Sequence, residues 1–248
     1  MRETLYGRQA IRESLRAGRR NPFRLLLAEG AVKLPIIDEI VALAEKKRIP
    51  TISLSRNEMA RIVGNADHQG VALETSGYPY ATTDEMLALT RERGEPPLLL
   101  LLDLIQDVHN LGSLIRTAEA VGVHGVMIQG RRAAGITPDT VNTSSGAVEH
   151  LLIAQVTNLA QEIEHLKAMN VWIAGLEEVY GAKPYTEVDM TGPLALVVGS
   201  EGEGLRRLVR DRCDWMMSIP MRGQINSLNA AVAGSIALYE ALRQRRHI

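Results

Sequence analysis

Residues Leu194 to Leu242 read LALVVGSEGEGLRRLVRDRCDWMMSIPMRGQINSLNAAVAGSIALYEAL. Leu194 to Val198 is a short apolar, partly β-branched run, the pattern of a buried strand, and it empties into Gly199-Ser200-Glu201-Gly202-Glu203-Gly204. A helix is expected from Leu205, then a second strand from Trp215 to Ile219 that Pro220 stops, because proline cannot donate to a sheet ladder. After an irregular segment from Met221 to Ile225, a long helix is expected at Ser227-Leu228-Asn229, with Leu228, Ala231, Val232, Ser235, Leu238, Tyr239 and Leu242 at helical spacing. Two strands thus deliver two loops able to form one pocket.

Upstream of this stretch the same alternation recurs. Leu98 to Leu102 is an unbroken apolar run, as in a strand of a parallel sheet covered on both faces. Leu111 to Val121 reads helical, Gly125 to Gln129 extended, Leu159 to Met169 helical and Val171 to Gly175 extended, so residues 98–248 are expected to form an α/β domain with a parallel sheet. Residues 76–97 carry Gly77, Pro79, Gly94, Pro96 and Pro97 around one short helical segment opened by Thr82-x-x-Glu85, and they read as a linker. Residues 1–75 form a smaller α/β unit. Its helix from Tyr6 to Gly18 turns Ile11 and Leu15 inward and Arg8, Arg12, Arg16 and Arg19 outward. Strands are expected at Phe23 to Ala28, Pro50 to Leu54 and His68 to Glu74, and helices at Pro35 to Lys47 and after the capping box Ser55-x-x-Glu58.

With 46% hydrophobic residues over 248 positions the chain can bury a substantial core, and a net charge of −1 excludes a global basic field. Any polyanion contact is local: the first 24 residues hold seven arginines against only Glu3 and Glu13. One cysteine, Cys213, rules out an intramolecular disulfide framework and reads as a packed side chain, which fits a reducing, cytoplasmic setting. The longest apolar run is far shorter than the roughly 20 residues needed to span a bilayer. Scattered histidines give no metal-ligand spacing.

The glycine loop Gly199 to Gly204 has neither the Walker lysine nor the spacing of a dinucleotide fingerprint. Its glycines permit close backbone approach to a ligand, or only a strand-to-helix turn, and Glu201 within it can hydrogen-bond a polar group. Asn110 stands where a helix N-cap belongs, so capping is one reading and substrate contact the other. Arg116, six residues on, lies on a helix of mostly small and apolar residues, from which a guanidinium can present a rigid fork to a phosphate or carboxylate. His109 is a general-base candidate by residue type alone. Ser227 and Asn229 open a helix, and without a histidine set Ser227 is a poor nucleophile.

Three segments in this order resemble the motifs of the SpoU (TrmH) family of RNA ribose 2′-O-methyltransferases: Asp107-x-His109-Asn110-Leu111-Gly112 with Arg116 and Ala118-Glu119-Ala120; Leu196 to Leu205; and Ile219-Pro220-Met221 with Ser227-Leu228-Asn229. Residues 1–75, with Tyr6-Gly7 near the start and His68-Gln69-Gly70-Val71 at the end, resemble an L30e-like substrate RNA-binding domain of that family. The resemblance implies a SPOUT catalytic domain with a deep trefoil knot, a feature that general chain-threading rules make rare. It also implies S-adenosylmethionine as methyl donor, a homodimer with shared active sites, and RNA, by subgroup a guanosine of 23S rRNA, as substrate, with no DNA or membrane partner. By the same resemblance Gly199, Glu201, Gly202, Ile219, Met221 and Leu228 hold the donor, Asn110, Arg116, Glu201, Ser227 and Asn229 match catalytic or supporting positions, and Arg8, Arg12 and Arg16 contact RNA. One departure is Val108, where the family usually has proline. The alternatives are a tRNA ribose methyltransferase and an RNA-binding ribosome assembly factor without activity.

Overall fold

Capping chemistry and hydrophobic spacing set most element boundaries in the computed structural model, which describes residues 2–30, 34–64 and 68–245. The first unit runs β1 (Arg2–Tyr6), α1 (Arg8–Ala17), β2 (Pro22–Ala28), α2 (Pro35–Lys46), β3 (Thr51–Leu54), α3 (Arg56–Val63) and β4 (Val71–Ser76). Gly18 ends α1 in the left-handed region at φ 65°, Pro35 opens α2, and Ser55 and Glu58 form the expected reciprocal box on α3. The sheet order is β1-β4-β2-β3, with β2 and β3 parallel and the other pairs antiparallel. Strand β1 was not expected, because Arg2-Glu3-Thr4 lack an apolar period. It forms because Leu5 and Tyr6 bury against the sheet, with Tyr6 opposite Ala72, which brings the Tyr6-Gly7 and Gln69-Gly70-Val71 segments side by side.

The second unit runs α4 (Thr83–Arg93), β5 (Leu98–Asp103), α5 (Val108–Ala120) and β6 (Gly125–Gln129). It continues, after a segment carrying α6 (Pro138–Thr143), with β7 (Ile153–Val156), α7 (Leu159–Ala168), β8 (Trp172–Leu176), β9 (Lys183–Pro184), β10 (Leu194–Gly199), α8 (Arg207–Arg210), β11 (Trp215–Ser218) and α9 (Ala230–Arg245). All its strand pairs are parallel, in the order β7-β6-β5-β10-β8-β11-β9. Strands β5, β6 and β10 are buried at every position, as their unbroken apolar runs require.

Contacts divide the chain into residues 1–79 with 136–150 and residues 80–135 with 151–248, a division that differs from the expected boundaries in two places. The stretch read as a linker contains α4, which the Thr82–Glu85 capping box opens and whose Met86 and Leu87 bury in one cluster with Leu99, Leu101 and Val197. Residues 136–150 belong to the first unit. There Arg20 Nε donates to Glu149 Oε1 at 2.8 Å with both side chains almost fully buried, and the Tyr78 hydroxyl donates to the Val148 carbonyl at 3.2 Å. Burial pushes the Glu149 carboxyl up in spite of Arg20, and the Tyr78 hydroxyl up to about 12. The helix expected from Leu205 shortens to the four residues of α8.

Helices α5 and α9 pack against each other over β10, and Gly234 allows it: a Cβ there would lie 2.5 Å from Leu114 Cδ2 and 3.2 Å from Val198 Cγ2. Alanine in a helix interior is worth up to about 1 kcal/mol over glycine, whereas overpacking a filled core costs about 1–3 kcal/mol. Gly234→Ala is therefore expected to lower stability by about 1 kcal/mol, read as a shift of the urea midpoint at constant slope. A stabilised variant would mean that the helices do not touch at this point.

Candidate functional site

In a parallel sheet all strand C-termini share one edge, and a ligand site is expected where the chain turns off in opposite directions from two adjacent strands. Strands β5 and β10 are such a pair: β5 leads to β6 on one side, and β10 leads to β11 on the other. Their loops carry two of the sequence's candidate segments, Asp103 to Asn110 and Gly199 to Gly204. The third, Ile219 to Asn229, follows β11.

The first loop corrects one expectation. Asp107, not Asn110, caps α5, its carboxylate accepting from the Asn110 backbone N–H at 2.7 Å. Val108 takes the first helical position, where a proline would fit equally well because that N–H needs no intrahelical partner. With the cap supplied by Asp107, the Asn110 side chain can reach across to the glycine loop, and its Nδ2 donates to Glu201 Oε1 at 3.2 Å. Asn229 does cap, since its Oδ1 accepts from the N–H groups of Ala231 at 3.0 Å and Val232 at 3.2 Å at the start of α9. Its other end, Nδ2, donates to Asn110 Oδ1 at 2.8 Å and to Glu201 Oε1. One carboxylate oxygen thus gathers two side-chain amides from two helices.

The glycine loop is closed on itself. Ser200 and Gly204 exchange both backbone hydrogen bonds, 3.2 and 3.1 Å, and a Cβ on Gly199 would lie 2.3 Å from the Gly204 carbonyl. Backbone cannot rotate out of the way as a side chain can, so glycine is required here. Gly204, at φ 66°, has the Glu177 carboxylate where a Cβ would go. Glu177 ends the β8 edge, receives Arg210 Nε at 2.6 Å and the Leu205 N–H at 3.3 Å, and through that pairing raises the Arg210 pKa. Asp103, fully buried at the end of β5, accepts from Arg206 N and Nε, both at 2.8 Å. Two carboxylates therefore clamp the exit of the loop.

Beside the Asn110, Glu201 and Asn229 cluster lies a pocket of about 650 Å³, within the 300–1,000 Å³ range of small-molecule sites. Gly199, Glu201, Gly202, Ile219, Met221 and Leu228 all line it, as do Ser227 and Asn229. Arg116 stands on the exposed face of α5, about 9 Å further along the helix axis than Asn110. Glu177 and Arg206 belong to no motif singled out in the sequence, and Asp103 opens a candidate segment there without a role being read for it. The usable signal for the two carboxylates is an acidic residue directly after each apolar strand run, at the edge where loops converge. Burial drives the Cys213 thiol up to about 12, so it is a packed group and not a nucleophile.

In the first unit, the arginines of α1 are engaged. Arg12 and Arg16 share Glu13 and Glu39, and Arg8 Nε donates to the Gln69 carbonyl at 3.0 Å. Any anion reaching them would compete with these partners.

The SpoU rRNA methylase family matches residues 97–239, and a second family described as RNA 2′-O ribose methyltransferase substrate binding matches residues 4–81. A Bacillus subtilis relative assigned to the TrmH family of tRNA/rRNA methyltransferases is 39% identical over 98% of this chain and 96% of its own length. A Staphylococcus aureus relative with the same assignment is 40% identical over 98% and 97%. Among solved structures, the SpoU methyltransferase AviRb from Streptomyces viridochromogenes in complex with AdoMet superposes with a TM-score of 0.82 at 27% identity, covering 100% of this chain and 92% of that one. The TrmH/SpoU tRNA modifying enzyme of A. aeolicus gives a TM-score of 0.57 at 30% identity and covers 66% of this chain and 84% of that one.

Proposed function

Because this chain belongs to the SpoU rRNA methylase family and is an S-adenosylmethionine-dependent RNA methyltransferase, we propose that its substrate is the ribose 2′-hydroxyl of a guanosine in 23S rRNA. The observation that supports a methyl-transfer site is the joining of Asn110, Glu201 and Asn229 by hydrogen bonds beside the pocket, and the choice of a 23S rRNA guanosine rests on the subgroup that residues 1–75 resemble. When bound, S-adenosylmethionine supplies a methyl on a sulfonium: the new O–C bond forms as the S–C bond breaks, leaving a neutral thioether.

The chain's own groups hold and orient. The donor would lie against the backbone of Gly199 to Gly202 and the apolar side chains of Ile219, Met221 and Leu228, a lining that fits an amphipathic nucleoside better than a compact anion. Asn110, Glu201 and Asn229 fix the rim where donor and ribose meet, and Ser227 lies in the same lining. In-line displacement gains much of its rate from such positioning. A guanidinium carries donors and no acceptor, so the role of Arg116 is to grip an RNA phosphate through its planar fork while the hydroxyl proton leaves to solvent. The unit of residues 1–79 with 136–150, which contains most of the substrate-binding match, receives the RNA, with Arg8, Arg12 and Arg16 as phosphate contacts. We assign the loops 199–206 and 219–229 to the knotted segment that the resemblance implies. Their lining of a single pocket supports this. Among the described residues no helix is long and apolar enough to cross a membrane, and the site of action is proposed as the cytoplasm.

The proposed assembly is a homodimer. Val232 and Tyr239, seven residues apart on one face of α9, are about half exposed, and Ile225 before that helix is more so. A mass of two chains is expected in solution at micromolar concentration. A monomer with full activity would contradict shared active sites.

The substrate is tested by mapping 2′-O-methyl groups in 23S rRNA and tRNA from cells with and without this protein. Loss of one 23S guanosine methyl is expected. Loss from tRNA would move the substrate, and no loss from either would favour an assembly factor without activity.

A further inference from the structure

Two arginines that no sequence motif singled out face solvent directly after β6. Arg131 and Arg132 are exposed, and neither forms a hydrogen bond or ion pair among the described residues. That sets them apart from Arg12 and Arg16 on α1, whose charge is met by Glu13 and Glu39. It also sets them apart from Arg206 and Arg210, paired with Asp103 and Glu177. The side chains of Arg48, Arg56, Arg91 and Arg222 are likewise without a hydrogen bond or ion pair among the described residues, but only at 131 and 132 do two such arginines stand next to each other.

Their place is fixed from both sides. Gln129, at the end of β6, accepts the Leu104 N–H through its side-chain oxygen at 3.1 Å, and Ala134 N–H donates to the Ile105 carbonyl at 2.8 Å. Ile105 and Ala134 are both buried. The 130–134 turn is therefore fastened to the 104–107 loop, the same loop whose Asp107 caps α5 and delivers Asn110. Leu104 and Arg132 both have left-handed backbones, φ 58° for each, a conformation disfavoured at a non-glycine residue that persists where the surroundings hold it. Strands β5 and β6 are neighbours, so the two loops leave the sheet about 5 Å apart, on the side of β5 away from β10 and the donor pocket.

We propose that Arg131 and Arg132 bind backbone phosphates of the RNA strand next to the methylated nucleotide, on the far side of Asn110 from the donor. The inference rests on the RNA-methyltransferase reading above. RNA then crosses the strand ends from the 130–134 turn over the Asn110 cluster, and the two arginines act as positioning residues that fix the register of the backbone without reading sequence.

The test uses the full-length protein, an unmodified 23S rRNA transcript, and the double variant Arg131→Gln with Arg132→Gln beside Arg131→Lys with Arg132→Lys. For the glutamine pair, affinity for S-adenosylmethionine is expected to be unchanged, KM for RNA to rise at least tenfold, and kcat at saturating RNA to stay within about twofold. The slope of log affinity against log salt should become shallower by about 1.4, the loss of two single-strand phosphate contacts. The lysine pair should keep the wild-type salt slope. Unchanged KM and slope in the glutamine pair would overturn the assignment while leaving the proposed function standing. Altered donor affinity in that pair would show a structural role instead, and failure of the wild-type protein to bind any RNA would overturn both readings.

Discussion

Arg116→Lys is expected to slow single-turnover methyl transfer about a hundredfold at saturating RNA and to leave the affinity for S-adenosylmethionine unchanged. Lysine keeps the charge at this exposed position of α5 but replaces a planar, two-pronged donor with a point charge, so the paired geometry to a phosphate is lost. A charged contact made chiefly in the transition state is worth on the order of 3 kcal/mol, and about 2.7 kcal/mol is a factor of a hundred. A surface arginine without such a contact would change nothing measurable. Rates within about threefold of wild type, under 1 kcal/mol, would remove Arg116 from the reacting machinery.

The second large effect is expected from Asn229→Asp. Asn229 does two things with its two ends, capping α9 with Oδ1 and donating to Glu201 and Asn110 with Nδ2. Aspartate caps as well as asparagine, so the helix should keep its start and the protein its urea midpoint. What disappears is the donor, and in its place a second carboxylate faces Glu201. The rim then opens by like-charge repulsion, and a misplacement of about 1 Å costs on the order of a hundredfold in rate. Asn229→Ala, by contrast, should lose the rate together with about 1 kcal/mol of stability, the value of the cap. If the aspartate variant turns over normally, the cluster is a helix-capping device and no more.

Much of the second unit was legible because its signals are local. An unbroken run such as Leu98 to Leu102 has one stable place, inside a parallel sheet, and the glycine loop after Val198 can hardly be anything but a strand exit. What was hidden depends on partners distant in sequence. Strand β1 is polar over half its length and exists only through β4, some 70 residues away. Residues 76–97 look like punctuation because Gly94, Pro96 and Pro97 crowd one end, yet Met86 and Leu87 are core. The grouping of residues 136–150 with the first unit hangs on a buried Arg20–Glu149 pair that no spacing rule could suggest. In the site, Asn110 looked like a cap because it precedes an apolar helix, and only the position of Asp107 three residues earlier shows the helix to be longer. Asp103 and Glu177 clamp the glycine loop through Arg206 and Arg210, contacts that form only once β5, β8 and β10 lie side by side.

The claim that the chemistry falls on the ribose is tested most directly by transferring a labelled methyl from S-adenosylmethionine to a 23S rRNA transcript with the purified protein and then hydrolysing the RNA in alkali. Alkaline cleavage needs a free 2′-hydroxyl, so a 2′-O-methyl protects its own phosphodiester, and the label is expected in a single alkali-stable dinucleotide whose 5′ member is guanosine. Label recovered in mononucleotides would place the methyl on a base and contradict transfer to the 2′-hydroxyl.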